Sequence, residues 1–195
     1  LEREKADDVF ETIGFRVSQI KGASPFKAFR YRFPWLLASI AGGTMSALMA
    51  SQFEDVLAAT IILSFFLTLV LGLGESVSMQ SMTVTIQALR AQRPSFRWFS
   101  SELLKELGTA VLLGLGCGLL VGSTVLIWKG ALLPALVIGG SLVLTLTTAC
   151  LVGLIIPTAL HALKLDPKIA AGPLALTISD LFTIAIYFSL AGLVL

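Results

Sequence analysis

The sequence has 195 residues, of which 56% are apolar and only 13% carry a charge. Soluble domains average about 25% charged residues, so this chain lacks the polar surface that a water-facing fold requires. Several apolar runs reach the roughly 20 helical residues that cross the hydrocarbon of a bilayer. The composition therefore excludes an ordinary soluble domain and predicts an all-α, polytopic membrane protein. We expect a lipid bilayer, and no nucleic acid, among its partners.

The N-terminal residues differ in composition from the rest of the chain. Residues 1–32 are polar and basic, and we predict that they form a cytoplasmic amphipathic connecting segment. Within this segment, residues 6–15 carry apolar side chains at helical spacing, which predicts a short amphipathic helix. They do not resemble a signal peptide. Because the sequence starts at Leu1, we expect it to be a piece of a longer protein. Residues 33–195 are predicted to form a transmembrane pore domain.

Five apolar stretches in this domain predict five transmembrane helices. They cover residues 34–50, 56–89, 107–128, 131–161 and 169–195. The second stretch is longer than one ordinary span, and it contains the polar, glycine-rich segment 72–81. We therefore predict that the second helix is long and broken within that segment.

Lysine and arginine predict the orientation of the helices. With five spans, all but one of the 14 basic residues fall on the same side of the membrane, and Lys129 is the exception. Loops rich in lysine and arginine remain in the cytoplasm. The N-terminus is therefore predicted to be cytoplasmic and the C-terminus to be outside.

Two carboxylates lie where water is scarce, Glu75 in the second span and Asp180 in the fifth. At 1.5 Å per residue, Asp180 lies about 16 Å along a helix from Ile169, close to the middle of a bilayer. A charge at that depth costs on the order of 3 kcal/mol, so it needs a partner or a wet cavity. Thr177 and Thr183 share its predicted helix face. Asp180 could be protonated and bond two helices together, but an ion pathway is favoured because no intramembrane lysine or arginine can pair with it.

The predicted break would also supply oxygen ligands. Unwound backbone at membrane depth is tolerated only when it is buried in protein or lines a wet cavity. Its carbonyls, together with Ser76, Ser78, Gln80 and Ser81, could then contact a hard cation, which prefers oxygen. Glu75 could instead cap the exposed amides of the break. The pattern indicates a cation without choosing among Mg²⁺, Na⁺ and a proton.

Small and sulfur-containing residues in the apolar spans are interpreted as packing residues. Gly114, Gly118 and Gly122 recur every fourth residue, which lets two helices approach closely. Cys117 and Cys150 lie in apolar surroundings without metal-binding spacing, so we expect no disulfide and no metal pair.

Several sequence blocks resemble a known family in chain order. They are Arg32-Phe33-Pro34-Trp35-Leu36-Leu37, Phe53-Glu54, Gly74, Gln80-Ser81-Met82-Thr83-Val84, the glycine-rich third span, and Asp166-Pro167-Lys168-Ile169-Ala170-Ala171-Gly172-Pro173-Leu174 with Thr177 and Asp180 after it. Together they resemble the transmembrane domain of the MgtE family of magnesium channels and its eukaryotic solute-carrier relatives, over about residues 33–195.

The resemblance implies a homodimer whose pore runs along the two-fold axis and is lined by the second and fifth helices. It implies that Asp180 binds hydrated Mg²⁺ in this pore. Residues 1–32 resemble the family's connecting helix, which leads to cytoplasmic Mg²⁺-sensing domains that this sequence does not contain. The implied location is the plasma (inner) membrane, which a multi-pass protein would span.

The sequence departs from the family at residues 74–79, where Gly-Gly-Asn-Ala-Gly-Thr is usual and Gly-Glu-Ser-Val-Ser-Met stands here. Our leading hypothesis is a dimeric Mg²⁺ channel whose ion site includes Asp180, Glu75, Thr177, Ser76 and Gln80. The alternative is a divalent cation exchanger coupled to Na⁺ or H⁺ through Glu75 and Asp180. An intramembrane protease is disfavoured, because neither carboxylate lies in a Gly-x-Gly-Asp context, and we expect no enzymatic activity.

Overall fold

The computed structural model describes residues 24–91, 95–165 and 167–195, and the regular structure in these ranges is α-helical. The helices are α1 (Pro25–Ser51), α2 (Glu54–Ala59), α3 (Ile62–Ala91), α4 (Phe96–Lys129), α5 (Leu132–Ala162) and α6 (Pro167–Val194). Among the described residues, five helices, all except α2, are long and apolar enough to cross a membrane. The predicted all-α class with five transmembrane helices is therefore confirmed. The helix predicted over residues 6–15 lies outside the described residues.

Two of the spanning helices extend beyond the apolar stretches that predicted them. Helix α1 begins at Pro25 and contains Pro34 in its interior, so the predicted boundary at residue 33 lies inside a helix. Pro25 is well suited to the first turn of α1. Backbone N–H groups in the first turn of a helix have no partner within the helix, and proline has no N–H to leave unpaired. Helix α4 begins after Ser95, whose side chain accepts a hydrogen bond from the Trp98 backbone N–H at 3.2 Å. Helix α4 therefore begins about ten residues before the predicted third span.

The second span is interrupted, but not where the sequence predicted. The helix stops at Ala59 and resumes at Ile62, whereas α3 is continuous through residues 72–81. The prediction of a break in that segment is wrong. Hydrocarbon offers no water to unpaired backbone groups, so a continuous helix pairs the backbone N–H and C=O groups of this segment better than a break would. Its glycines do not oppose this, because glycine is common in transmembrane helices. Consequently no unwound carbonyls are available there, and Glu75 has no helix break to cap.

Helix α5 is the centre of the bundle. In its apolar span 61% of the residues are buried, and it packs against α3, α4 and α6. Helix α1 is the opposite case, because only 6% of its apolar span is buried and its main neighbour is α6. The single chain therefore leaves α1 and much of α3 uncovered.

The glycine stripe of α4 forms a close backbone contact with α5. A Cβ placed on Gly114 would lie 2.6 Å from Val143 Cα, and one on Gly118 would overlap the carbonyl oxygen of Gly139. Gly122 continues the same contact one turn later. These backbone-to-backbone approaches leave no room for a side chain, so the predicted packing role of the stripe is confirmed.

Aromatic and basic side chains fix the other end of the bundle. The buried Tyr187 hydroxyl of α6 donates a hydrogen bond of 2.9 Å to the Leu63 carbonyl in the first turn of α3. The Lys129 ammonium lies 4.2 Å from the centre of the Trp128 ring and 5.2 Å from that of Phe65. Such cation–π contacts hold α4 beside the start of α3.

Replacing Gly118 tests the close approach of α4 and α5. We expect Gly118→Ala to lower the free energy of unfolding by about 1–3 kcal/mol, as overpacking in a tight contact does. Gly116→Ala is the matched control, because a Cβ there meets no heavy atom within 4 Å. Thermal unfolding of the purified protein in detergent measures both variants. Equal stability of the two variants would contradict the packing described for this interface.

Candidate functional site

Both intramembrane carboxylates lie near the middle of spanning helices. Glu75 is central in the 30-residue α3, and Asp180 is central in the 28-residue α6. Their neighbours Gly74 and Ser179 lie where the two helices meet, since a Cβ placed on Gly74 would be 3.8 Å from Ser179 Oγ. The structure therefore brings together the helix segments that carry the two carboxylates, although the two residues are 105 positions apart in the chain.

Asp180 is half-buried, and one of its oxygens is unused. Among the described residues, Oδ1 is buried without a hydrogen-bond partner. That atom therefore does not bond α6 to another helix, as a purely structural aspartate would require. A buried polar atom left without a partner costs about 1–3 kcal/mol, and more when it is charged, so Oδ1 is free to accept a ligand.

Close contact with α3 fixes one side of Asp180. A Cβ placed on Gly74 would lie 3.0 Å from Thr183 Oγ1 and 3.8 Å from Ser179 Oγ. Both hydroxyl side chains are buried, and neither has a hydrogen-bond partner in the described part of the chain. Gly74 is thus the residue that allows α3 to lie against the polar turn of α6 that carries Asp180.

Close contact with α1 fixes the other side. A Cβ placed on Gly42 would overlap the Oγ1 atom of Thr177. Thr177 also lines a groove of about 660 Å³ between α1 and α6, together with Trp35 and Met45. Thr177 and Thr183, which the sequence placed with Asp180 on a single face, therefore flank it and contact different helices.

One face of α3 is polar and exposed in the single chain. Glu75, Ser76 and Gln80, all predicted site residues, lie on it, and exposed polar or small residues recur along α3 in both directions, beside the exposed apolar residues Phe65 and Leu69. Its exposed members are Ser64, Thr68, Gly72, Glu75, Ser76, Gln80 and Gln87. We call this set the α3 polar face. Polar residues in transmembrane helices face a bundle interior or a wet cavity rather than lipid, so this face requires cover from water or protein.

The predicted site residues do not form a compact set of metal ligands in one chain. Among the described residues, no group of three or more histidine, cysteine, aspartate or glutamate side chains could hold a metal ion. Thr177 lies in the groove beside α1, whereas Glu75, Ser76 and Gln80 lie on the α3 polar face. This arrangement is unsuited to a dehydrated ion, which needs several direct ligands. It is suited to a hydrated ion that touches one or two carboxylates through its water.

A second polar cluster was not foreseen. Glu106 of α4 accepts a hydrogen bond of 2.7 Å from the buried Ser81 hydroxyl of α3. The third span predicted from the sequence starts at residue 107, one residue after Glu106. Extending the predicted third helix by one turn towards the N-terminus would have placed Glu106 inside the bundle.

Comparison with known proteins gives the same family throughout. The model of the MgtE family, described as a divalent cation transporter, matches residues 67–190. The magnesium transporter MgtE of Bacillus subtilis is 36% identical over 160 residues, which cover 82% of this chain and 36% of that protein. The magnesium transporter MgtE of Thermus thermophilus is 35% identical over 198 residues, covering 100% of this chain and 44% of that protein.

A third relative, the magnesium transporter MgtE of Enterococcus faecalis, is 30% identical over 193 residues, covering 99% of this chain and 42% of that protein. The chain thus spans about two fifths of the length of these relatives. The family match covers more than half of the chain and includes the segments that carry Glu75 and Asp180. The chain therefore belongs to the MgtE family of divalent cation transporters.

Proposed function

We propose that this chain carries Mg²⁺ across the plasma membrane as the pore domain of a dimeric channel, with the hydrated ion held at Asp180. The observation that carries the proposal is the unpartnered Oδ1 of Asp180 at the middle of a spanning helix. Its neighbour Glu75 and the α3 polar face provide further oxygen atoms beside it. Membership of a divalent cation transporter family supports the same function.

The chemistry of the site favours an ion that keeps its water. Mg²⁺ dehydrates reluctantly and is usually bound through one or two carboxylates while several waters remain. Asp180 supplies the direct or water-mediated carboxylate contact in this proposal. Glu75, Ser76, Gln80 and Thr177 contact the waters of the ion, since their oxygen and amide groups can accept or donate hydrogen bonds.

A second copy of the chain completes the proposed pathway. The α3 polar face is exposed in one chain, and lipid is a poor solvent for it. Pairing two chains through a two-fold axis beside α3 and α6 would enclose both polar faces around water and bring two copies of Asp180 to one axis. The chain would be oriented with its N-terminus in the cytoplasm, as its lysine and arginine distribution favours.

One observation favours a second candidate function. Glu75 stands where the family usually has a small residue, and its neighbour Gly74 contacts the turn of α6 that carries Asp180. Two interacting carboxylates can exchange a proton or Na⁺ for a divalent ion. A cation exchanger coupled to Na⁺ or H⁺ is therefore the alternative to a passive channel.

Uptake into liposomes under a Mg²⁺ gradient alone tests the role of Asp180. We expect wild-type protein to admit Mg²⁺, and Asp180→Asn to reduce uptake close to that of protein-free liposomes, because the amide removes the negative charge that holds the ion. Asp55→Asn is the control, since Asp55 is exposed on the short helix α2. A fluorescent Mg²⁺ indicator inside the liposomes measures the flux.

The same assay separates the two candidate functions. Uptake by Asp180→Asn at the wild-type rate would contradict the proposed site. If wild-type protein is silent under a Mg²⁺ gradient but active when an opposing Na⁺ or pH gradient is added, the exchanger is correct and the passive channel is not.

The contact between α1 and α6 provides an independent test of the site. We expect Gly42→Ala to reduce Mg²⁺ uptake and to destabilise the protein by about 1–3 kcal/mol, because the added methyl group displaces Thr177 beside Asp180. Gly43→Ala is the matched control, since a Cβ there meets nothing within 4 Å. Liposome flux and thermal unfolding are measured for both. Wild-type flux in both variants would show that the position of Thr177 does not matter for transport.

A further inference from the structure

The groove between α1 and α6 is at least as long as one membrane leaflet is deep. Its volume of about 660 Å³ lies within the range of about 300–1,000 Å³ that is usual for ligand pockets. The α1 residues that line it run from Tyr31 to Met45, which is about 21 Å of helix, whereas half of the hydrocarbon is about 15 Å thick. The lining is apolar apart from the polar groups of Tyr31, Trp35 and Thr177. Its length and polarity fit an acyl chain.

Small side chains of α1 create the space. Ala38, Ala41 and Gly42 line the groove on the α1 side, and Pro173 and Leu174 line it on the α6 side. Only 6% of the apolar span of α1 is buried in the bundle. The groove is therefore part of a helix surface that lipid or another protein must cover.

The face of α1 that lines the groove ends in basic side chains. Its lining residues recur every three or four positions and therefore share one face of the helix. Lys27 lies four residues before Tyr31 and continues this face, with Arg30 beside it. Both basic side chains are exposed, and within the described ranges neither has an ion pair or a hydrogen bond. Two positive charges at the mouth of the groove are thus available to a ligand.

These charges lie at the depth of lipid headgroups. Gly42 contacts Thr177, one turn from the central Asp180, so it lies near the middle of the bilayer. Lys27 is 15 residues before Gly42, or about 22 Å along the helix, which is beyond the hydrocarbon. Tyr31 lies between the two levels, as tyrosine and tryptophan do at membrane interfaces.

The same end of the bundle is basic as a whole. Further basic side chains there are Arg90, Arg97 and Lys164. Two acidic side chains of α4 lie towards this end, and both have partners: Glu102 pairs with Lys105 at 2.9 Å, and Glu106 accepts a hydrogen bond from Ser81. The local field therefore favours an anionic headgroup over a neutral one.

We propose that the α1–α6 groove binds one anionic phospholipid, with its phosphate on Lys27 and Arg30 and one acyl chain in the groove. Tyr31 and Trp35 contact the lipid between headgroup and chain. A second copy of the chain is the other occupant to consider, but two unpaired cations at the mouth of the groove suit a phosphate, and an identical chain would bring the same cations.

Quenching of Trp35 fluorescence by brominated lipids tests the site in a bilayer. The chain has three tryptophans, and Trp98→Phe with Trp128→Phe leaves only the one that lines the groove. The full chain is reconstituted without Mg²⁺ in mixtures of phosphatidylglycerol and phosphatidylcholine, with bromine on the acyl chains of one lipid at a time. We expect phosphatidylglycerol to bind beside Trp35 at least about fivefold more tightly, since one basic residue near an anionic lipid contributes about 1 kcal/mol. This readout does not involve transport, so it can fail without the proposed function failing.

Variants separate the headgroup contact from the acyl-chain contact. Lys27→Gln should lower the preference for phosphatidylglycerol by about fivefold. Lys105→Gln is the matched control and should keep the preference, because Lys105 lies on α4, which packs mainly against α5. Ala38→Leu should fill the groove and lower the maximal quenching by both lipids. Ala47→Leu, on an exposed position of α1 outside the groove, should not.

Three results would overturn the proposal. The first is equal affinity of the two lipids beside Trp35 in the protein with Lys27 and Arg30 intact. The second is a preference for phosphatidylglycerol that survives Lys27→Gln combined with Arg30→Gln. The third is a Trp35 that neither lipid quenches, which would mean that a second copy of the chain covers the groove.

Discussion

Helical hydrogen bonding of the backbone is the constraint on which the remaining structure depends. In hydrocarbon an unpaired amide or carbonyl has no water to bind, so the segment that crosses must satisfy its own backbone. This explains why α3 continues through a run of glycines, serines and an acid that would favour a loop in a soluble protein. Because the backbone is fully used, the chemistry of the spanning region is left to side chains. The proposed function therefore rests on polar side chains.

Glycines decide how closely these side chains are brought together. Gly42 and Gly74 allow α1 and α3 to approach α6 on either side of Asp180, and Gly153 allows α5 to approach α3 beside the second cluster. A side chain at any of these positions would push two helices apart. Small residues therefore act indirectly on the chemistry, since they set the positions of polar groups that they do not themselves provide.

The bundle contains two polar regions that differ in hydrogen bonding. Around Asp180, Oδ1 and the hydroxyls of Ser179 and Thr183 lack hydrogen-bond partners in the described part of the chain. Glu106 instead accepts a hydrogen bond from Ser81, so its carboxylate joins α4 to α3.

The sequence by itself determined the all-α membrane class, the five spans, the packing role of the α4 glycines and the central position of Asp180, because hydropathy and helical periodicity are local properties. Only the tertiary structure showed that α3 is unbroken at residues 72–81, that Thr177 and Thr183 contact different helices, and that Glu106 accepts a hydrogen bond from Ser81. These facts depend on which helices are neighbours and how each is rotated. Contacts between residues far apart in the chain set both, and no local pattern records them.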